Sequence, residues 1–127
     1  MAEVGSELRN LPAGRATLVA PWHAIFAAML IRIVRMTFAP AQVPAFLALF
    51  HATKGRIGQQ PGCLHLELWQ DAANPATYCT HSRWTDEAAL NAYRKSALFG
   101  EVWPATKRLF AAPAVAFSSH LAAAEAA

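Results

Sequence analysis

Side chains that can bind a metal ion or transfer a proton recur at every second position in two short stretches of this sequence. They are Cys63, His65, Glu67, Cys79 and His81. In a β-strand, such alternation places the side chains on one face of a sheet. Imidazole, carboxylate and thiolate groups are competent ligands for a transition metal, and they also satisfy one another in a polar network between two chains. Because no metal-ligand spacing motif accompanies them, we interpret them as interface residues and expect no metal.

The composition argues against several classes of function. The 127 residues are 55% hydrophobic and 15% charged, which is typical of one compact domain. The formal net charge of +3 comes from scattered residues, so no nucleic-acid or membrane-surface patch is expected. The longest apolar stretch, Ala24 to Ile31, is too short to cross a bilayer. Two cysteines cannot form a disulfide framework, so we expect a cytoplasmic protein whose partners are small molecules or proteins.

Residues 1–28 and 122–127 differ in pattern from the rest of the chain. The first segment contains several Gly and Pro residues and no sustained periodicity. We interpret it as an N-terminal extension or an overcalled gene start, with Met29 as the alternative initiator. The last segment is rich in alanine and is expected to be a tail. The predicted domain is therefore 29–121.

Periodicity predicts four strands and two helical regions. Alternating apolar residues indicate strands at 30–38, 63–70, 76–84 and 114–121. Helical spacing indicates a helix at 42–57 and, after the third strand, a second helix that is broken near Ser96 and kinked by Pro104. This order predicts an α+β fold of the ferredoxin-like βαββαβ kind, with a four-stranded antiparallel sheet and the helices on one face.

The other face of this predicted sheet has no helix to cover it. In a monomer it would expose Ile31, Ile33, Cys63 and Trp69. An apolar surface of that size usually finds a partner, and symmetric pairing of two identical surfaces is the commonest solution. We therefore predict a homodimer in which two sheets meet face to face.

Four short motifs carry a resemblance to a known family through their order and spacing. They are Pro61-Gly62-Cys63-Leu64, Leu66-Glu67-Leu68, Trp84 before Thr85-Asp86-Glu87-Ala88-Ala89-Leu90, and Ser96-Ala97-Leu98-Phe99. In these motifs the chain resembles the antibiotic biosynthesis monooxygenase superfamily, the dimeric α+β barrels, from about Leu30 to Ser119. Members include cofactor-independent oxygenases of aromatic polyketides and quinols, heme-degrading enzymes, and many small proteins of no known activity. The resemblance implies a dimeric α+β barrel without fixing its chemistry.

In such folds the small-molecule cleft lies between the sheet and its own helices, and the resemblance places Trp84 on that side. Strand alternation, with Gln70 opposite Ala76 in the hairpin, adds neighbours such as Leu64 and Leu68. As catalytic residues we expect Trp84, Tyr93 and Tyr78. As substrate-binding residues we expect Thr80, Ser82, Trp103, Val34, Met36 and Leu66. The alternative interpretation of this group is an ordinary packed core.

The sequence departs from some patterns of the family. Heme-degrading members carry an Asn in the first strand and a ligand His in the helix, where Val34 and Trp103 stand here. The resemblance therefore does not extend to heme degradation. Other members have a His where Tyr93 and Ala97 stand, so a His-based general acid is not expected. Arg94 is expected on a solvated helix face, with contact to an anionic substrate at the cleft mouth as the alternative.

The same hairpin register assigns partners on the uncovered face. It places His65 opposite His81 and Glu67 opposite Cys79. Buried charges and imidazoles in such a position satisfy one another across an interface. The predicted dimer-interface residues are His65, His81, Glu67, Arg83 and Arg35.

The resulting hypothesis is a cofactor-independent monooxygenase that oxidises a small aromatic or quinol-type substrate in the cleft. In that chemistry the substrate carbanion itself reduces dioxygen, so the protein has to orient and desolvate the ring and assist its deprotonation. No cofactor is expected. The alternative is a non-catalytic dimeric module that binds a hydrophobic small molecule or another protein, and the lack of a strong acid or base for the cleft favours it.

Overall fold

Four strands and three helices lie along residues 29–125, the part of the chain that the computed structural model describes. The strands are β1 (Leu30–Thr37), β2 (Cys63–Gln70), β3 (Thr77–Trp84) and β4 (Val115–Ser119). The helices are α1 (Val43–Gly58), α2 (Glu87–Arg94) and α3 (Ala97–Lys107), with a short 3-10 turn at Pro40–Gln42 before α1. The predicted extension, 1–28, lies outside the described residues, as do the last two residues of the predicted tail.

The four strands form one antiparallel sheet in the order β2-β3-β1-β4. Side chains of α1 and α3 pack against the same face of this sheet. The arrangement is that of a ferredoxin-like fold, so the predicted α+β fold class is confirmed, with the second helical region divided into α2 and α3. Within residues 29–125, no helix is long and apolar enough to cross a membrane.

Side-chain caps determine where α2 and α3 begin. The Asp86 carboxylate accepts a hydrogen bond from the backbone N–H of Ala89 at 2.8 Å, and the Ser96 hydroxyl accepts one from Phe99 at 3.2 Å. Both caps satisfy amides that have no partner within their own helix. The break at Ser96 brings Tyr93 of α2 against Phe99 of α3, with their ring centroids 5.3 Å apart.

Gly62 holds the start of β2 close to the start of α2. Its φ of 81° lies in the left-handed region, which glycine adopts without strain. A Cβ at this position would meet the Cβ of Ala89 at 2.5 Å and the hydroxyl of Thr85 at 2.8 Å. The carbonyl of Gly62 also accepts a hydrogen bond from the Thr85 amide at 2.9 Å. A larger residue here would push α2 away from the sheet.

The hairpin between β2 and β3 has a different register from the predicted one. Gln70 pairs with Tyr78 and not with Ala76, so the prediction was wrong by two residues. The connection is longer because its own hydrogen bonds hold it. The Asp71 carboxylate accepts from two following backbone amides, and the Asn74 side chain accepts from the Ala76 amide at 3.0 Å. A shift of two residues leaves every side chain on its predicted face but changes its partner.

A β-bulge in β2 overturns the predicted position of Cys63. The pairing passes from Cys63 opposite Trp84 directly to His65 opposite Arg83, which leaves Leu64 without a partner. Cys63 therefore packs beside Trp84 on the helix-covered face, whereas the alternation had placed it on the uncovered face. Leu64, predicted to line the cleft, is 52% exposed.

The buried core consists of two clusters on the helix-covered face. The larger contains Met36, Phe38, Phe46 and Tyr78, and the smaller contains Leu30, Trp84 and Leu90. Phe38 and Phe46 stack with their ring centroids 4.1 Å apart, and Trp84 is 1% exposed. The two clusters anchor opposite ends of the sheet, and the space between them is only partly filled.

Candidate functional site

A cavity of about 300 Å³ lies between the sheet and all three helices. It takes one wall from each core cluster, since Met36 and Phe46 of the larger cluster and Trp84 and Leu90 of the smaller one all line it. A volume of this size is at the lower end of the range for small-molecule sites in proteins. The helix-covered face is thus not an uninterrupted core.

Of the nine residues predicted as catalytic or substrate-binding, the structure brings eight together around the cavity, whereas Leu64 and Leu68, predicted as their neighbours, do not line it. Those that line the cavity are Trp84, Tyr93, Thr80, Ser82, Trp103, Val34, Met36 and Leu66. Tyr78 does not line it, although it was predicted as a catalytic residue. It belongs to the larger core cluster, where its ring lies 5.5 Å from that of Phe46 and its hydroxyl accepts from Gln70 at 3.1 Å. Tyr78 is therefore part of the packed core beside Phe46 and does not face the cavity.

Aromatic rings from three elements form a continuous wall of the cavity. Trp84 of β3 stacks on Tyr93 of α2 with ring centroids 5.2 Å apart and planes inclined by 19°. Tyr93 meets Phe99 of α3 edge to face, and Phe99 stacks on Trp103 at 5.9 Å. Offset stacked rings of this kind offer a flat apolar surface to a flat ligand. We refer to these rings, Trp84, Tyr93, Phe99 and Trp103, as the aromatic wall.

The polar groups of the cavity can donate hydrogen bonds but include no strong base. Trp84 donates its indole N–H to the Ser82 hydroxyl at 3.0 Å, which fixes both side chains. Burial, and secondarily the nearby thiol of Cys63, raises the pKa of Tyr93 to about 12. The phenol therefore stays protonated at neutral pH and is a donor, not a base. Among the described residues that line the cavity there is no carboxylate, imidazole or thiol.

Several lining residues were not predicted. From α1 they are Phe46, Leu49, Phe50, Thr53 and Ile57. Arg32 and Arg94 also line the cavity, and Arg94 had been expected mainly on a solvated face. Strand alternation was the available signal for Arg32, since it shares a face with Val34 and Met36. Helical spacing predicts which side of α1 is buried, but it does not predict that a cavity lies between that side and the sheet.

The family assignment follows from a comparison with known protein families. The family model described as antibiotic biosynthesis monooxygenase matches residues 29–103. The chain belongs to this family. The match covers all of the predicted cleft residues, from Val34 to Trp103. A search of the curated proteins finds no significant match.

Solved structures of other proteins share the fold of this chain. An antibiotic biosynthesis monooxygenase is 20% identical, with a TM-score of 0.70, and the alignment covers 74% of this chain and 99% of the other. A conserved protein from Methanosarcina mazei is 17% identical, with a TM-score of 0.73 and coverage of 77% and 97%. A protein from Mycobacterium tuberculosis is 21% identical, with a TM-score of 0.68 and coverage of 79% and 99%. At these identities the likeness establishes the fold alone.

The uncovered face of this antibiotic biosynthesis monooxygenase domain carries a hydrogen-bonded cluster of His65, Glu67 and His81. Glu67 bridges the two imidazoles, with 2.7 Å from its Oε1 to Nδ1 of His81 and 3.3 Å from its Oε2 to Nε2 of His65. Arg83 donates to Nε2 of His81 at 3.5 Å, so a neutral His81 carries its proton on Nδ1 and donates to Glu67. These hydrogen bonds, from His65 first and then His81, lower the pKa of Glu67.

The cluster differs in its pairing from the predicted one. Glu67 lies opposite His81 and not opposite Cys79, because of the two-residue shift in register. Arg35, predicted to join the cluster, lies 3.9 Å from Asp71 at the hairpin instead. Trp69 stacks on His81 with ring centroids 5.0 Å apart, which leaves that histidine 5% exposed. The ligating atoms of the cluster lie within 4.8 Å of one another, so they could also hold a metal ion.

Large apolar side chains remain exposed around this cluster. Trp69 is 45% exposed, Phe117 51% and Val115 59%. By strand alternation and register, Phe117 and Val115 of β4 lie on the same face as Ile33 and Arg35 of β1. The uncovered face is therefore a mixed surface, with the polar cluster on β2 and β3 at one side and exposed apolar side chains of β4 at the other.

Proposed function

We propose that this chain is a cofactor-independent monooxygenase that oxidises a flat phenol or quinol bound in the cavity. The observation that carries the proposal is the aromatic wall, which lines an open space within a domain of the antibiotic biosynthesis monooxygenase family. The wall offers a stacking surface, and Tyr93, Thr80 and Ser82 offer hydrogen bonds to ring oxygens.

The reaction balances with dioxygen alone. A phenol loses its proton, and the resulting anion has carbanion character at a ring carbon, which gives its electrons to dioxygen. One oxygen atom forms a new carbonyl at that carbon, the other leaves as water, and the phenol becomes a quinone. The protein then has to orient the ring, exclude bulk water and donate hydrogen bonds to the developing oxyanion.

The aromatic and polar side chains of the cavity orient the substrate ring and donate hydrogen bonds to it. Tyr93, Phe99 and Trp103 offer the stacking surface, and Trp84 supports it, since its ring stacks on Tyr93 and its indole N–H holds Ser82 in place. Tyr93 stays protonated because its pKa is raised to about 12, so it donates to the substrate oxygen and does not remove its proton. Because no described lining residue is a strong base, the substrate proton leaves to water or to a buffer base at the cavity mouth.

Oxygen uptake tests this proposal. Purified protein is supplied with a panel of dihydroxynaphthalenes and anthrones, and dioxygen consumption is followed for wild type, Trp84→Phe and Trp69→Phe. Trp69 is the matched control, because it is a tryptophan of the same sheet on the uncovered face. We expect uptake by wild type and Trp69→Phe, and a rate about tenfold lower for Trp84→Phe, because phenylalanine cannot donate to Ser82 and supports Tyr93 less well. Absence of uptake by wild type, or equal rates for the two variants, would overturn the proposal.

A second candidate function is a non-catalytic module that binds a hydrophobic small molecule. The observation that favours it is the lack of a base among the described residues of the cavity. In that case the same aromatic compounds raise the melting temperature of the protein, while oxygen uptake stays at the background level. The combination of a thermal shift with no turnover identifies this alternative.

We also propose that the uncovered face pairs with a second copy of the chain. The exposed apolar side chains Trp69, Val115 and Phe117 support this, because a monomer would leave them in water. The cluster of His65, Glu67 and His81 would then lie within the interface, toward the β2 side of the sheet and with Arg83 beside it. The interface would then be partly polar, in contrast to the apolar cavity on the other face.

A further inference from the structure

Two arginines share the cavity that is otherwise lined mostly by apolar and aromatic side chains. Arg32 lies in the middle of β1, between Ser82 on β3 and Ser118 on β4. Arg94 is the last residue of α2 and follows Tyr93 of the aromatic wall directly. Both line the cavity, although they come from elements on opposite sides of it. Their positive charges therefore converge on the end of the cavity next to the Trp84–Tyr93 stack.

Neither charge is neutralised within the described part of the chain. Among residues 29–125 the ion pairs of arginine involve Arg35 and Arg56, and no carboxylate lies within 4.0 Å of Arg32 or Arg94. Arg32 donates to the neutral Ser118 hydroxyl at 3.1 Å. Burial, and secondarily the charge of Arg94, lowers the pKa of Arg32. Partial burial of an unpaired cation beside a second one costs free energy unless an anion binds there.

We propose that Arg32 and Arg94 form an anion-binding subsite, which takes the carboxylate of an aromatic acid whose ring lies on the aromatic wall. The guanidinium fork matches a carboxylate with two parallel hydrogen bonds, and these bonds are stronger than those between neutral groups. The subsite rests on the proposed function, because it names the substrate class for the same cavity. It also fixes the direction of the substrate, with its acidic end toward Arg94 and its ring toward Trp103.

The alternative is that both arginines are solvated and bind nothing. In that case an acid and its neutral analogue bind the cavity equally well. Naphthoate and naphthamide form a suitable pair of probes, because they have the same ring system and nearly the same shape, and only the former is charged at neutral pH. Both are bound without turnover, so the measurement does not depend on any oxygenase activity.

The experiment is a calorimetric titration of both probes into wild type, Arg32→Gln, Arg94→Gln and Arg108→Gln. Arg108 is the matched control, because it is an exposed arginine at the end of α3 that does not line the cavity. Wild type and Arg108→Gln should bind naphthoate about tenfold to a hundredfold more tightly than naphthamide. Arg32→Gln and Arg94→Gln should lose most of this preference while binding naphthamide as before.

The outcomes separate the subsite from the proposed function. Equal binding of both probes by wild type, or a preference that survives in both arginine variants, overturns the subsite and leaves the oxygenase proposal standing. If wild type binds neither naphthoate nor naphthamide, the subsite is overturned and a ligand-binding cavity is contradicted as well. If Arg32→Gln does not fold, as judged by circular dichroism, Arg94→Gln still decides the question, because Arg94 is exposed at the end of its helix.

Discussion

The two faces of the sheet carry different kinds of side chain. The helix-covered face has the cavity and the aromatic wall, and the only strongly charged groups of its described lining are Arg32 and Arg94. The uncovered face has His65, Glu67 and His81 in one hydrogen-bonded cluster, in which Trp69 covers His81 while His65 and Glu67 remain partly exposed. The residue types most often used for proton transfer therefore lie on the face opposite the cavity.

In this domain the residues suited to proton transfer indicate one face of the sheet as the functional site, and the cavity indicates the other. An unpaired carboxylate or protonated imidazole in an apolar cavity costs free energy, whereas the same groups on an open face can pair at little cost. A cavity without a base suits a substrate that supplies its own electrons and needs mainly orientation and hydrogen bonding.

Replacement of Trp84 with alanine should destabilise the protein far more than the same change at Trp69. Trp84 is 1% exposed and Trp69 is 45% exposed, so only the former leaves a large unfilled volume. We expect Trp84→Ala to lower the free energy of unfolding by about 3–5 kcal/mol and Trp69→Ala to lower it by about 1 kcal/mol or less. Urea unfolding at a protein concentration where the chain is monomeric measures both. Similar losses in the two variants would contradict the assignment of faces.

Removal of an apolar side chain from the uncovered face should weaken the proposed dimer. Phe117 is 51% exposed and lies on the edge strand β4, opposite Ile33 of β1. We expect Phe117→Ala to raise the dissociation constant by about tenfold, which corresponds to about 1.4 kcal/mol, through loss of an exposed aromatic contact. Sedimentation equilibrium measures it, with Tyr93→Phe on the covered face as the control that should dimerise like wild type. An unchanged dissociation constant in Phe117→Ala would rule out this face as the interface.

Loss of the Tyr93 hydroxyl should slow oxygen uptake without altering its dependence on pH. The pKa of Tyr93 is raised to about 12, so the group does not titrate near neutrality and acts only as a donor. We expect Tyr93→Phe to lower kcat/KM by about fivefold, which corresponds to about 1 kcal/mol, the typical contribution of one neutral hydrogen bond. A pH profile that loses its acidic limb in this variant would instead indicate that Tyr93 is a proton acceptor.

The Glu67 carboxylate should stabilise the fold only above its own titration range. Hydrogen bonds from His65 and His81 lower its pKa below the ordinary value of 4.5. The stabilisation is therefore present above pH 4.5 and is lost as the pH falls through the lowered pKa. Melting temperatures of wild type and Glu67→Gln should differ at neutral pH and converge in acid.

A matched control for this change is Glu101→Gln, whose carboxylate has only the exposed Arg56 as an ion-pair partner at 3.7 Å. It should change the melting temperature little at any pH, because exposed ion pairs contribute little to stability. A constant difference between wild type and Glu67→Gln from neutral to acidic pH would show that the hydrogen bonds to the two histidines do not stabilise the fold.

The faces of the sheet could be predicted from the sequence, but the pairings could not. Strand alternation has a period of two, so an error of two residues in the hairpin kept Glu67 and His81 on one face. Their direct pairing depends on the length of the turn, which the side chains of Asp71 and Asn74 set through local hydrogen bonds. The bulge beside Cys63 broke the alternation itself, and so that residue was assigned to the wrong face.

The cavity was predicted less completely than the fold. Alternation placed Tyr78 with Thr80 on the helix-covered face, but the position along the strand decides whether a side chain reaches the cavity or the core. Phe46 of α1 packs against Tyr78, and the distance between α1 and the sheet determines where this packing ends and the cavity begins. Periodicity carries no information about that distance, so the lining residues of α1 could not be identified from sequence.

A crystal soaked without oxygen in a dihydroxynaphthalene shows directly which face of the sheet binds the substrate. We place the substrate in the cavity on the helix-covered face, and not at the histidine cluster on the uncovered face. We expect electron density for the ring against the aromatic wall, between Trp84 and Trp103. Density beside His81 on the uncovered face, with the cavity left unoccupied, would contradict the claim.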